Sequence, residues 1–307
     1  MYPLSRRLLV VVSLSACSSL AYAQERSQLD SLTDGQDSVH RMEQVVVHAR
    51  QMLGSKFEAR NRTGSAYYLS PKELAKFGYT DISRMLRAVP GVNIYEEDGF
   101  GLRPNISLRG TKAERSERIS LMEDGILAAP APYAAPAAYY FPNAARMHAI
   151  EVLKGSSQVQ YGPFTTGGAV NLVSTPIPTR FKAGLRASYG SYGTFNSYAH
   201  IGSDSRHFGY LVEYLRYQSK GFRRDIPDER TGFYRNDIVG KLRLHTAPET
   251  SIQQALELKL GFANERSDET YVGLSATDFA RQPYLRYRGA QMDEMRTRHW
   301  QSALTYL

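Results

Sequence analysis

Three stretches late in the chain alternate apolar and polar residues. Phe181, Ala183, Leu185, Ala187 and Tyr189 alternate with Lys182, Gly184, Arg186, Ser188 and Gly190. Ile238, Gly240, Leu242 and Leu244 alternate with Val239, Lys241, Arg243 and His245. Leu256, Leu258, Leu260 and Phe262 alternate with Glu257, Lys259, Gly261 and Ala263. A period of two over about ten residues predicts strands with one lipid-facing and one polar face, as in a transmembrane β-barrel; a soluble β-sandwich shows the same alternation. Less regular strands are expected near 195–202, 207–217 and 298–307. The connections favour the barrel. Gly202–Arg206 and Ala247–Ser251 are short, whereas Ser219–Tyr234 and Ser267–Arg296 are long and polar. Short turns alternating with long loops fit an outer-membrane barrel with its long loops outside. Tyr189–Thr194 is short where a long loop is expected.

Earlier residues follow another pattern. Short apolar runs end in glycine at Ile106–Gly110, Ile150–Gly155 and before Gly167-Gly168, which predicts a small sheet with backbone turns of positive φ or close strand approach. Ser70-Pro-Lys-Glu73 is a capping box with proline at the first helical position. Asp81 is placed to cap a second helix whose Ile82, Met85, Leu86 and Val89 share one face, ended by Pro90-Gly91. Gly91–Pro104 and Leu127–Pro142 read as loops. The second holds Pro130, Pro132, Pro136 and Pro142 with Tyr133, Tyr139, Tyr140 and Phe141. Such a loop is either pinned to its own domain or faces a ligand.

The N-terminus changes the compartment. Arg6-Arg7 precedes an apolar run, Leu8–Leu20, and Ala21-Tyr22-Ala23 offers small residues for cleavage, so residues 1–23 read as a signal peptide. The run is too short for a transmembrane helix, which needs about 20 residues. Cleavage after Ala23 removes Cys17, the one cysteine. Leu14-Ser-Ala-Cys17 also resembles a lipoprotein box, which would make Cys17 a lipidated first residue. Residues 24–52 then form a polar, flexible arm interrupted by Met42–Ala49, whose Val45-Val46-Val47 triplet could add to the edge of another sheet or begin the next domain.

Composition adds mainly exclusions. The chain has 307 residues, 38 Lys and Arg against 30 Asp and Glu, and a net charge of +8. The arginines are scattered and no nucleic-acid-binding signature is present, so nucleic acid is not expected as a partner. There is no phosphate loop, nucleophile elbow, HExxH or cysteine pair, which argues against an enzyme. No cofactor and no protein metal ligands are expected.

The order Leu86–Ile94, Ile106–Gly110, Leu121–Ile126 and Ile150–Val173 resembles the plug domain of TonB-dependent outer-membrane receptors. Ala129–Pro136 and Tyr271–Phe279 resemble the ferric dicitrate branch. The resemblance implies an α+β plug over 53–178, followed over 179–307 by about six antiparallel transmembrane strands of an incomplete outer-membrane β-barrel. Residues 42–49 resemble the TonB box, with Glu43, Gln44, Val45, Val46 and Val47 as the contact with the inner-membrane TonB complex. Only a short arm precedes that box, so no N-terminal signalling domain is expected. Arg103, Arg115, Arg118, Tyr133, Tyr139, Tyr140, Arg223 and Arg224 are the candidate ligand contacts, because guanidinium forks hold carboxylates bidentately. The expected partners are TonB, an anionic ferric chelate such as ferric citrate, and outer-membrane lipid. Haem, another siderophore or cobalamin are alternative ligands.

Six strands cannot enclose a folded domain, since plugged transporters use about 22. The sequence is therefore expected to be a portion of a longer receptor with an open edge. The alternatives are a truncated remnant that does not transport, or a periplasmic or lipidated binding module made of the plug-like part.

Overall fold

The computed structural model describes residues 51–128, 137, 139–155, 161, 166–223 and 231–307. Glycine-terminated runs build the first sheet. β1 (Ser65–Leu69), β4 (Ile119–Glu123), β5 (Ile126–Leu127), β6 (Met147–Lys154) and β7 (Gly168–Ser174) lie in the order β1-β6-β7-β4-β5. The β4–β7 pair is parallel and the others are antiparallel. Every residue of β4 and β7 is buried. Both faces of the sheet are covered, so burial does not alternate along β4 and β7, and their polar Ser120, Glu123, Asn171 and Ser174 are buried with the apolar residues.

One face packs Leu121, Ile150, Val152, Val170 and Leu172 against Ile82, Leu86, Ile106 and Leu108. The other packs Met122, Leu153 and Ala169 against Met52, Leu53 and Ala59. Gly168 is required where β6 and β7 meet. Its φ is +147°, and a Cβ there would stand 2.2 Å from the Leu153 carbonyl oxygen.

The helices begin as their caps dictate. α1 (Lys56–Asn61) starts at Ser55, whose hydroxyl accepts the Glu58 N–H. α2 (Pro71–Phe77) carries the Ser70–Glu73 capping box with Pro71 at its start. In α3 (Ile82–Leu86) the Asp81 carboxylate accepts the Ser83 N–H, and Ile82, Met85 and Leu86 are buried. One expected loop is partly a strand: β2 (Val92–Tyr95) pairs with β3 (Asn105–Leu108). Val92 and Ile94 pack onto the first core cluster, which recruits a run too short to reveal a period.

A second sheet contains six antiparallel strands in sequence order: β8 (Lys182–Gly190), β9 (Thr194–Asp204), β10 (Phe208–Ser219), β11 (Phe233–His245), β12 (Ala255–Asp268) and β13 (Glu294–Tyr306). β8 and β13 are its two edges, so the barrel is not closed. The strands reach 9–14 residues, enough to cross a bilayer at a tilt. Their inward residues, among them Glu213, Arg235, Asp237, Lys241 and Lys259, are buried against the first domain. Their outward residues include Val212, Ile238, Leu242, Leu260, Trp300 and Leu304, all exposed. Phe262 and Trp300 pair across β12–β13 with ring centroids 4.3 Å apart, and Phe208 and Tyr210 stack near the opposite end of β10. An apolar band with aromatics near both margins is what a strand needs at a lipid surface. The long connection before β13 carries a short helix, α4 (Ala276–Arg281).

Candidate functional site

Charged residues join the first domain to the strands. Arg146, just before β6, gives both terminal nitrogens to Glu123 at 2.7 and 2.8 Å and its Nε to Asp237 on β11 at 3.0 Å. Lys259 on β12 reaches Glu123 at 2.6 Å and Asp124 at 2.5 Å. Lys241 on β11 donates to the Ser174 hydroxyl and the Thr175 carbonyl, each at 2.7 Å. Arg235 donates to the Phe141 carbonyl at 2.7 Å. β11 and β12 thus present Arg235, Lys241 and Lys259 to the first domain, and the Glu123-Asp124 turn answers Lys259 directly.

Burial alone would raise the pKa of Glu123, but Arg146 and Lys259 hold it down at about 2. Burial opposes ionisation of Asp124 as well, and Lys241 and Lys259 outweigh it. Both carboxyls thus have folded-state pKa values below their unfolded ones. The stability they contribute is present above the ordinary carboxyl range and is lost as pH falls through the folded values. Acid titration of the melting temperature should show a fall that begins below the ordinary Glu value of 4.5 and steepens toward 2. Glu123→Gln should flatten that fall; an unchanged profile would remove this network as its cause.

A cleft forms where loops of the first domain meet the long connections. Glu97, Asp98, Phe100, Leu102, Phe222, Arg223 and Glu269–Tyr271 line it. The Asp98 carboxylate organises one wall by accepting the N–H groups of Phe100, Gly101 and Arg103 at 2.6, 2.7 and 2.8 Å. Phe100 packs on Phe222 and Phe233. Arg223 is half-buried over the Phe222 ring. Burial lowers its pKa, and Arg286 nearby lowers it further.

The candidate ligand residues separate in this structure. Arg223 lines the cleft; Arg103, Arg115 and Arg118 do not. Arg103 bridges Glu265 and Glu269, each at 2.6 Å, so its guanidinium ties the first domain to β12. Arg115 is exposed and its N–H donates to Asn105 Oδ1. Arg118 is exposed beside Glu117 at 3.5 Å. Tyr139 is exposed, and its carbonyl accepts the Thr297 hydroxyl at 3.1 Å. Tyr140 is buried, stacked on His299 with centroids 3.6 Å apart and lying beneath Arg235. Burial raises its hydroxyl pKa. Tyr133, Arg224 and the Glu43–Val47 segment lie outside the described residues.

Sequence reasoning missed the residues that hold the two parts together: Glu123, Asp124, Arg146, Asp237 and Glu265. A signal was available for part of this set. Lys241 and Lys259 occupy polar positions on otherwise regular strands, and a buried cation requires an anion opposite. Among the described residues, no group of three His, Cys, Asp or Glu side chains is placed to hold a metal ion.

Comparison with known proteins agrees with this architecture. Residues 58–169 match the family model of the TonB-dependent receptor plug domain. The pesticin receptor of Yersinia pestis is 24% identical over 285 residues, covering 84% of this chain and 39% of that protein. Its counterpart in Yersinia enterocolitica is 23% identical, covering 77% of this chain and 36% of that protein. This chain spans about two fifths of the length of these relatives. Among solved structures, the ferric citrate transporter FecA in its unliganded form superposes with a TM-score of 0.68 at 22% identity, over 83% of this chain and 38% of that one. The ferric yersiniabactin uptake receptor FyuA of Yersinia pestis gives 0.57 at 20% identity, over 70% of this chain and 34% of that one. Residues 58–169 thus match a TonB-dependent receptor plug domain, and plug and strands together share the fold of these receptors.

Proposed function

We propose that this chain belongs to a receptor that carries a ferric chelate across the outer membrane, with work supplied through TonB. Arg223 carries the reading. Its guanidinium is half-buried in the cleft, where burial and Arg286 disfavour its charge, Glu269 and Asp98 offset them only in part, and no carboxylate among the described residues is in ion-pair contact with it. An anionic ligand would relieve that imbalance, and citrate-type oxygens suit a guanidinium fork. The iron is cargo, held by the chelator's own oxygens, so the protein needs only to grip the chelate.

Arg115, Arg118 and Tyr139 remain exposed and able to contribute; Tyr133 and Arg224, outside the described residues, stay candidate contacts. Arg103 acts as a positioning residue, because its salt bridges to Glu265 and Glu269 set the wall beside Arg223. The arm at Glu43–Val47 is the segment that the TonB complex engages by strand addition. Ligand seated against the plug shifts the arm toward the periplasm. Tension on the arm then displaces the plug contacts and opens a path along the strands.

Arg223→Ala is expected to weaken binding of ferric citrate about 10- to 100-fold, the worth of a charge-assisted pair. Tryptophan-quenching or calorimetric titration would measure it; unchanged affinity would move the site elsewhere. Deleting 43–47 should abolish uptake of radiolabelled iron in cells and leave binding intact. Loss of binding in the deletion would defeat the proposed division of labour.

A further inference from the structure

The connection between β3 and β4 is strained where it presents Arg115. Arg115 and Ser116 have φ values of +50° and +57°. Side chains with a Cβ rarely adopt that left-handed conformation, and it persists only where surrounding contacts over-determine it. The other non-glycine residues with positive φ among those described, Arg109, Asp124 and Tyr192, each precede a left-handed glycine that shares the turn. Arg115 and Ser116 have no glycine beside them and form the one adjacent pair of this kind.

Two buried side chains hold the pair in place. Asn105 Oδ1 accepts the Arg115 N–H at 2.7 Å. The Ser116 hydroxyl donates to the Pro104 carbonyl and accepts the Ile106 N–H, each at 2.9 Å. The Asn105 amide nitrogen serves a second loop, donating to Glu97 Oε2 at 3.1 Å and to the Tyr95 carbonyl at 3.3 Å. One buried amide thus fastens the turn that carries Arg115 to the cleft wall that carries Glu97 and Asp98. An aspartate would keep the acceptor for Arg115 but set a second oxygen against Glu97 and the Tyr95 carbonyl, so an amide is the group that serves both loops. The result is an exposed guanidinium on a fixed root. No carboxylate among the described residues is in ion-pair contact with it. Its charge reaches Tyr271, which lines the cleft: burial and Glu269 raise the pKa of that hydroxyl, and Arg103 and Arg115 pull it back.

We propose that Asn105 and Ser116 are positioning residues for ligand recognition, which lock a strained turn so that Arg115 is held ready beside the cleft for an anionic chelate. The inference rests on the cleft being the chelate site. The gain is pre-organisation. A loose turn would have to be ordered when the chelate binds, and that ordering would subtract from affinity. Here the backbone that roots Arg115 is ordered on folding, and the buried hydrogen bonds of Asn105 and Ser116 offset its strain. The chelate then meets Arg223 within the cleft and Arg115 near its Tyr271 wall, with only the outer torsions of each arginine left to settle.

The test is a double-mutant cycle on ferric citrate affinity in the full-length receptor, read by calorimetric titration with the melting temperature measured alongside. Arg115→Ala should weaken binding about tenfold, the effect of losing one charge-assisted contact. Asn105→Ala and Ser116→Gly should each weaken it about three- to tenfold by loosening the root of that arginine. Glycine adopts the left-handed conformation freely, so Ser116→Gly keeps the turn without its lock and serves if Asn105→Ala does not fold. In the Arg115→Ala background both substitutions should lose most of their effect on affinity, because they act through Arg115. A merely structural role would lower the melting temperature in both backgrounds and leave the affinity losses additive. Additive losses would therefore overturn the inference, as would an Arg115→Ala variant that binds like the parent. Arg223→Ala separates the two levels. If that variant also binds normally, the cleft is not the chelate site and both readings fall; if it binds weakly while the cycle shows no coupling, the positioning role alone fails.

Discussion

Replacing Arg146 by methionine is expected to lower the unfolding free energy by about 3–5 kcal/mol, the usual effect of breaking a buried ion pair by removing one partner. Arg146 is 1% exposed and touches carboxylates from both sides of the contact between plug and strands. Methionine fills most of the stem volume, so the loss isolates the charge effect from a cavity. Glu123 would keep Lys259, but Asp237 would keep only Arg235 at 3.5 Å. The expected cost is therefore concentrated on Asp237. Arg146→Met combined with Asp237→Asn should recover part of the loss, because no uncompensated charge then remains at that position. Arg146→Lys should fall between the two, since an ammonium cannot serve Glu123 bidentately and still reach Asp237. Urea unfolding in detergent would measure all three. A loss below about 1 kcal/mol in the methionine variant would mean that water or neighbouring side chains already satisfy the network.

That network shows where the sequence was legible and where it was not. Strand alternation was readable because lipid on one side and protein on the other impose a period of two on β11 and β12. Caps at Ser70 and Asp81 were readable because their hydrogen bonds are local. β1 and β2 were not, because their apolar residues are recruited by distant partners: β1 pairs with β6, more than eighty residues later. The ligand residues suffered in the same way. An arginine in a loop looks alike in sequence whether it waits for a ligand or is already engaged. Arg103 is engaged by Glu265 and Glu269 from a strand end more than 160 residues away, and only assembly of the sheet brings those carboxylates within reach. Tyr140 belongs to the same class, since its stacking partner His299 lies on the last strand.

Glu151→Gln is expected to loosen the segment at Met52–Gly54 selectively. The Glu151 carboxylate is fully buried in the middle of β6 and accepts three successive backbone N–H groups, from Met52 at 2.6 Å, Leu53 at 3.0 Å and Gly54 at 2.8 Å. Asn171 Nδ2 adds a fourth donor at 2.9 Å. Such a nest of N–H dipoles suits an anion. A glutamine of the same shape offers one acceptor oxygen and turns an NH2 group toward donors, so buried N–H groups lose their partner. At roughly 3 kcal/mol for that loss, amide exchange at 52–54 should accelerate by about a hundredfold. Exchange in β6 and β7 should change far less, because their ladder bonds do not involve this carboxylate. The position gives the effect its functional weight. If tension enters the chain at 43–47, as proposed, then among the described residues Met52–Gly54 meet it before any strand of the plug. Arg62, which donates to the Met52 carbonyl at 2.7 Å, backs the same attachment from the other side. In single-molecule pulling on an N-terminal tether, Glu151→Gln should reduce the force of the first unfolding step while later steps keep theirs. A first step at unchanged force would show that the arm is held by something other than this carboxylate.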